Sequence, residues 1–314
     1  SFYFSMNSKV EITIGITAYN DWKYLEKAIQ SVLDQTSNEW TGVLVLDGGC
    51  DYKTQSIFES FDHYKFKKYS FNDNQGPPKT REKAIELCET KWYFHLDGDD
   101  LLPPESIKYI VQAIKQNPDI NFIYGNCEHF SDDINNIRKP IDDFEDLCLG
   151  PLFNTQSPIK KSLYYHLGGF DYNEDLVMNF DWDFWLTVFE KNIEGFQLNN
   201  TLYKRRNRVN NIGNRKMSLG PISVDYIIKK HPIFFNSIER KNRAKYNIYE
   251  KVARNYKARG KRKLAYHWAK EAALIGPTHE GLKNIFKEDK MSLLRYLIRR
   301  FSRRFFTLKK KYFK

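Results

Sequence analysis

The densest chemistry in this 314-residue chain is Asp97-Gly98-Asp99-Asp100, three carboxylates within four residues. They close the apolar and aromatic run Lys91 to Leu96, which has strand length. Carboxylates this dense repel one another unless something positive sits among them. A hard divalent cation, Mg²⁺ or Mn²⁺, suits them, because it prefers oxygen ligands and keeps company with phosphates. The plainer reading is an acidic turn capping the helix that follows Pro103-Pro104. A second acidic group, Asp181 and Asp183, is interleaved with rings in Asn179 to Leu186. These two carboxylates also suit the first turn of a helix, where the dipole favours negative charge.

The elements around these groups alternate. Glu11 to Thr17 is rich in β-branched residues and reads as a buried strand. Asn20 or Asp21 is placed to cap a helix from about Trp22 to Gln35, with Leu25, Ala28, Ile29, Val32 and Leu33 on one face. Trp40 to Leu46 is a second strand, ending in Asp47-Gly48-Gly49-Cys50-Asp51, and a helix follows through about Phe61. Tyr64 to Phe71 is a weaker strand, Asn72 to Pro78 a loop, and Lys79 to Glu89 a helix leading into the acidic strand. Glu105 to Gln116 and Ile120 to Glu128 continue the pattern as helix and strand. Regular alternation predicts an α/β fold, a parallel sheet with helices on both faces. Thr17, Tyr19, Asp47, Asp97 and Asp99 all fall just after strands, so they converge on one crevice at the carboxyl edge.

Ser131 to Pro151 reads as an irregular acidic excursion, and Tyr203 to Lys216 as a mobile basic loop able to order around an anion. From Ser237 the pattern is helical: Lys241 to Ala258, a break at Gly260, then Lys263 to Leu274 form a helical hairpin. In Met291 to Lys314, Leu294, Leu297, Ile298, Phe301, Phe305 and Leu308 make one apolar stripe edged by Arg and Lys. Such a stripe suits a helix lying in an anionic membrane interface; a helix packed on the protein is the plainer alternative. The expected division is 1–220 for the α/β domain, 221–290 for the hairpin region and 291–314 for the basic amphipathic helix.

The net charge of +11 points to an anionic partner, and 16% aromatic residues point to a folded chain. Cys50, Cys88, Cys127 and Cys148 lack metal-ligand spacing and read as reduced thiols. Thiols of that kind are expected of a cytosolic chain, and no apolar run reaches membrane-spanning length. No Gly-x-Gly-x-x-Gly loop follows the first strand and no Gly-Lys-Ser/Thr loop occurs, which disfavours dinucleotide cofactors and P-loop phosphoryl transfer. The positive residues gather after Lys204 while the first half carries crevice acids, which disfavours a nucleic-acid partner.

Taken in order, these motifs resemble the family 2 glycosyltransferases of GT-A fold, over Glu11 to about Glu190. The resemblance implies that Thr17 and Tyr19 frame a nucleotide base and that Asp47 accepts from its ring N–H. It implies that Asn74-x-Gly76 and Arg81 cover a diphosphate, with Lys79 as a further donor. Asp97-Gly98-Asp99-Asp100 is similar to the metal-binding Asp-x-Asp. The resemblance thus implies Mn²⁺ or Mg²⁺ on Asp99, with Asp97 or Asp100 assisting. Gly168 to Asp171 and Phe180 to Leu186 match the acceptor-side motif, so Asp181 takes the position of the general base and Asp183 competes for it. The expected activity is inverting transfer from a nucleotide sugar, with UDP favoured, to a glycan or polyprenyl-linked acceptor. Its expected place is the inner face of a bacterial plasma membrane. The rival readings are a nucleotidyltransferase that makes nucleotide sugars, a basic binding protein, and an inactive family member.

Overall fold

A computed structural model of the chain describes residues 11–131, 135–138, 144–150, 156–176, 179–208 and 216–276, together with 282, 283 and 285. Its strands are β1 (Ile12–Ala18), β2 (Trp40–Leu46), β3 (Phe66–Ser70), β4 (Trp92–Asp97), β5 (Ile123–Phe130), β6 (Asn135–Arg138), β7 (Ile159–Lys160) and β8 (Phe196–Arg206). Its α-helices are α1 (Leu25–Leu33), α2 (Tyr52–Ser60), α3 (Pro77–Glu86), α4 (Ser106–Gln116), α5 (Lys161–His166), α6 (Phe180–Glu190), α7 (Gly220–Lys230), α8 (Ile238–Ala258) and α9 (Arg262–Ile275). They fall into two compact units. One comprises 1–144, 151–173 and 180–209; the other comprises 145–150, 174–179 and 210–314.

The first unit is built on a five-stranded sheet of order β3-β2-β1-β4-β7. β1, β2, β3 and β4 run parallel, and β7 closes the edge antiparallel to β4. β1 is buried along its whole length, as a strand covered on both faces must be. β3, at the edge, carries Lys67 and Lys68 outward, a pattern that discourages edge-to-edge association. α1 lays Leu25, Ala28, Ile29 and Val32 on the sheet, and α4 buries Ile107, Ile110, Val111 and Ile114. Each fully buried aliphatic side chain is worth about 1.5–3 kcal/mol, so these stripes hold the helices in place. α4 needs a partner for its first N–H groups. Gln35 supplies it, accepting from Ile107 N at 3.0 Å and donating to Pro103 O at 2.7 Å.

Three sequence expectations change here. Ile120 to Glu128 does form a strand, β5, but in a separate three-stranded sheet of order β6-β5-β8. β7 already occupies the free edge of β4, so β5 pairs instead with β8, in parallel. Ser131 to Pro151 is not wholly irregular: β6 pairs antiparallel with β5, and Phe144–Leu149 is a 3-10 helix. Tyr203 to Arg206, read as the start of a mobile loop, is instead the end of β8, paired with Cys127 to Phe130.

The second unit contains the expected hairpin. Ser237 accepts from Arg240 N at 3.2 Å and starts α8. Gly260, at φ +71°, supplies the left-handed turn before α9. Ala253, Ala265, Ala269, Ala272 and Ala273 are buried between the helices, and Tyr249 lies 5.0 Å from Trp268. Methyl-sized residues allow close helix approach, so a larger side chain overpacks the seam. Ala269→Leu is expected to cost about 1–3 kcal/mol, read as a lower midpoint in thermal unfolding. Among the described residues no helix is long and apolar enough to cross a membrane. The basic segment 291–314 lies outside the described residues.

Candidate active site

The strand order reverses at β1, which lies between β2 and β4, and that is where an open α/β sheet leaves a crevice. Thr17 at the end of β1 is in register with Asp97 at the end of β4. Ala18 is in register with Leu46, which places Asp47 on the same edge. Tyr19 follows, half-buried, and Gly98 N donates to Thr17 O at 2.8 Å. The predicted convergence of strand-end polar residues is therefore present.

Asp47 is only 4% exposed and its carboxylate is fully engaged. Oδ1 accepts from Gly48 N at 3.0 Å and Gln75 N at 2.7 Å; Oδ2 accepts from Gly76 N at 3.0 Å and Asn74 Nδ2 at 3.1 Å. An ionised carboxylate offers about four acceptor positions, and all are used in fastening the 74–76 turn. Asp47 thus holds the turn, a role its place after the strand did not reveal.

The acidic turn is wrapped in cations and amides. Arg81 on α3 reaches across with Nη2, 2.7 Å and 3.0 Å from the two Asp97 oxygens. Its Nε donates to His95 Nε2 at 2.9 Å, and its guanidinium lies 5.1 Å from the Phe180 ring. His95 Nε2 is also 2.8 Å from Asp97 Oδ1, so it accepts from Arg81 or donates to Asp97, one at a time. Burial and the Arg81 charge lower the His95 pKa and favour the neutral ring. Burial pushes the Asp97 carboxyl up, but Arg81 and His95 outweigh it and hold it well below the usual carboxylate range. Gln156 donates to Asp97 Oδ2 at 3.1 Å and to Asp100 Oδ2 at 2.6 Å. Arg206 N donates to Asp100 Oδ1 at 2.7 Å, and Arg206 Nε to the Asp99 carbonyl at 3.0 Å. Burial and the neighbouring charges of Asp99 and Asp97 push the Asp100 carboxyl well up. Burial and Asp97 raise Asp99 too, against the pull of Arg208.

Arg208 spans two acids. Its Nη2 is 2.5 Å from Asp99 Oδ2, and its Nη1 donates to Asp21 Oδ1 at 3.0 Å. Asp21 does not cap α1 with its side chain as expected; its other oxygen accepts from Tyr19 N at 3.0 Å. Burial raises its pKa, opposed by Tyr19 N and Arg208.

Asp181 stands in the first turn of α6, and its Oδ1 accepts from Trp182 N at 2.8 Å. Burial raises its pKa, with Arg81 and Arg205 opposing. Arg81 pairs with Asp97, and Arg205 acts on Asp100, Asp97 and Asp181 together. Asp181 therefore shares its cations with the acidic turn. Asp183 is buried at 1% exposure, whereas Asp181 keeps contact with solvent. Two residues apart on a helix they point about 200° apart, so the two face opposite ways. The aromatic residues divide likewise: Tyr164, Trp182 and Trp185 are core, while Tyr165 is exposed.

Among the described residues, no three His, Cys, Asp or Glu side chains gather into a ready metal cage. Mg²⁺-like ions seldom need one: they take one or two carboxylates and fill the other positions with water and phosphate oxygens. Asp99, whose partner is a side chain that can turn away, fits that pattern better than Asp97, whose oxygens Arg81 and Gln156 already hold. The donor set suits an ion that arrives with phosphates.

Sequence reasoning missed His95, Gln156, Asp21, Arg206 and Arg208 as members of this site. His95 was within reach, since residues two apart on a strand share a face and Asp97 is two away. Gln156 carries no local signal; Arg206 and Arg208 lie in the basic stretch read as ordering around an anion, but their pairing with these acids arises only across the fold.

Comparisons with known proteins bear on the family and the fold. A family model described as glycosyl transferase family 2 matches residues 13–194. An uncharacterised glycosyltransferase of Methanocaldococcus jannaschii is 26% identical over 250 residues, covering 72% of this chain and 82% of that protein. The poly-beta-1,6-N-acetyl-D-glucosamine synthase of Staphylococcus epidermidis is 24% identical over 123 residues, 39% of this chain and 30% of that protein. In fold, the chain is similar to S. aureus TarS 1–349 in complex with UDP-GlcNAc. The TM-score is 0.57 at 13% identity, covering 91% of this chain and 92% of that one. It is similar also to the mannosyltransferase PcManGT of Pyrobaculum calidifontis in complex with GDP-Man and Mn²⁺. There the TM-score is 0.57 at 14% identity, covering 98% and 89%. With more than half its length matched, sheet and crevice included, this chain belongs to glycosyl transferase family 2.

Proposed function

We propose that the chain is an inverting glycosyltransferase that moves a sugar from a nucleotide-diphosphate sugar to a hydroxyl of a glycan or lipid-linked acceptor, in bacterial surface polysaccharide synthesis. The observation that carries this reading is that Asp97 and Asp181 share Arg81 and Arg205 at the switch point of a family 2 sheet, with Asp99 in the same turn as Asp97 and paired with Arg208. UDP is the favoured nucleotide, supported by the UDP-GlcNAc complex of TarS; the GDP-Man complex of PcManGT is the alternative.

In this reading Thr17, Tyr19 and the turn fastened by Asp47 bind the base. Because the four acceptor positions of Asp47 are filled, it serves the base through that turn. Arg81, beside Asp97, donates to the diphosphate, with Lys79 on the same helix in support. Asp99 holds the divalent ion, Mn²⁺ or Mg²⁺, with Asp97 as second ligand and Asp100 shaping the turn through Gln156 and Arg206. When bound, the ion neutralises the charge growing on the leaving diphosphate. Asp181 takes the acceptor's proton as its oxygen attacks the anomeric carbon from the face opposite the leaving group. One such displacement inverts the configuration.

A thermal-shift screen of UDP, GDP and their sugars tests the reading, since a ligand of the folded state raises the melting temperature with its affinity. UDP or a UDP-sugar with Mn²⁺ is expected to raise it. EDTA is expected to remove that shift and stop turnover; full turnover in EDTA takes the metal role from Asp99. The segment 291–314 is proposed to hold the enzyme at the cytoplasmic face of the membrane, since its basic residues are each worth about 1 kcal/mol near an anionic surface. The whole chain is expected to float with phosphatidylglycerol vesicles, and the chain cut before Met291 to stay behind.

A further inference from the structure

We propose that Arg208, which bridges Asp99 and Asp21, is a built-in counter-ion that must release Asp99 before a divalent ion binds that carboxylate. The inference rests on the metal reading of this turn given above. One guanidinium bridges two carboxylates from different parts of the chain: Nη2 lies 2.5 Å from Asp99 Oδ2 and Nη1 3.0 Å from Asp21 Oδ1. Both acids are largely withdrawn from water, with side-chain exposures of 14% for Asp99 and 8% for Asp21. A hard ion seeks the same oxygens, and two cations cannot share them without strong repulsion.

Arg81 and Arg208 each pair with a carboxylate of the acidic turn, and they are held differently. The Arg81 side chain is 12% exposed and uses both Nη2 and Nε, on Asp97 and His95. The Arg208 side chain is 32% exposed, and its Nε is buried without a hydrogen-bond partner among the described residues. An incompletely bonded guanidinium with a path to solvent loses less on release than one whose donors are all used. The neighbouring strand end need not move with it. Arg206 pins that end independently, through N to Asp100 Oδ1 and Nε to the Asp99 carbonyl. Arg208 therefore works as a displaceable occupant. It keeps the acids neutralised in the empty enzyme and lowers the apparent metal affinity by the fraction of time that it is away. Occupancy of about nine-tenths corresponds to a tenfold reduction.

The test is a Mn²⁺ titration of the full chain without nucleotide, with free Mn²⁺ read by its electron paramagnetic resonance signal. Arg208→Gln, which removes the charge, is expected to bind Mn²⁺ about tenfold more tightly than the unmodified chain. Arg208→Met, which keeps the length of the stem, is expected to do the same and carries the measurement if the first variant does not fold. Tightening in either folded variant supports the inference. If the unmodified chain binds Mn²⁺ and the variants bind it equally or more weakly, Arg208 is not a competitor, and the metal reading stands without it. If none of the three binds Mn²⁺, the metal reading fails and this inference with it.

Discussion

Asp181→Asn is expected to leave nucleotide-sugar binding close to that of the unmodified chain and to lower transfer about 10²- to 10⁴-fold, the usual contribution of a positioned general base. The amide keeps the size of the side chain and an acceptor for Trp182 N, so the start of α6 is preserved. What it loses is the ability to take a proton. Asp183→Asn is the control. Its side chain is buried on the opposite side of the helix, so its loss is expected to appear in stability rather than in the rate of a folded enzyme. The pH profile gives a second view. A base works only when deprotonated, and burial raises the Asp181 pKa. The acid limb of kcat/KM is therefore expected above the range of an ordinary aspartate, and absent from the residual activity of the variant. Equal transfer by Asp181→Asn, with Asp183→Asn inactive but folded, would move the base to Asp183.

Arg81→Ala is expected to destabilise the fold and abolish donor binding together. Removing one partner of a buried ion pair costs about 3–5 kcal/mol, because the other charge is left uncompensated. Asp97 keeps 30% exposure, so the lower end of that range, about 3 kcal/mol, is expected. The pH dependence identifies the cause. In the unmodified chain Arg81 holds the Asp97 pKa down, so the pair stabilises the fold above the unfolded carboxylate value of about 3.9. That contribution is lost as pH falls toward the folded value. The gap in melting temperature between chain and variant is therefore expected to narrow below about pH 4. Arg81→Lys restores a charge but not the fork that reaches Asp97 and His95 together, so it is expected to recover stability only in part. A variant as stable as the parent at neutral pH would show that the contact with Asp97 contributes little.

The sequence alone determined the strand–helix alternation of the first unit, the acidic turn at the end of β4 and the hairpin of α8 and α9. These are local properties. β-branched runs such as Ile12 to Ile16 and stripes such as Leu25, Ala28, Ile29 and Val32 report which face is buried, whatever lies opposite. The placement of polar residues after strands likewise implied a shared edge once the sheet was taken as parallel. What each carboxylate does at that edge was decided only by the tertiary structure. Asp47 fastens a turn because Gln75 and Gly76, 28 and 29 residues on, bring their N–H groups to it. Gln156 meets Asp97 across 59 residues, and Arg208 meets Asp21 across 187. Hydrogen bonds and ion pairs of that span depend on distances of about 3 Å between atoms whose separation along the chain carries no period. Periodicity can show where a face is buried; only the folded chain brings a particular donor to a particular acid.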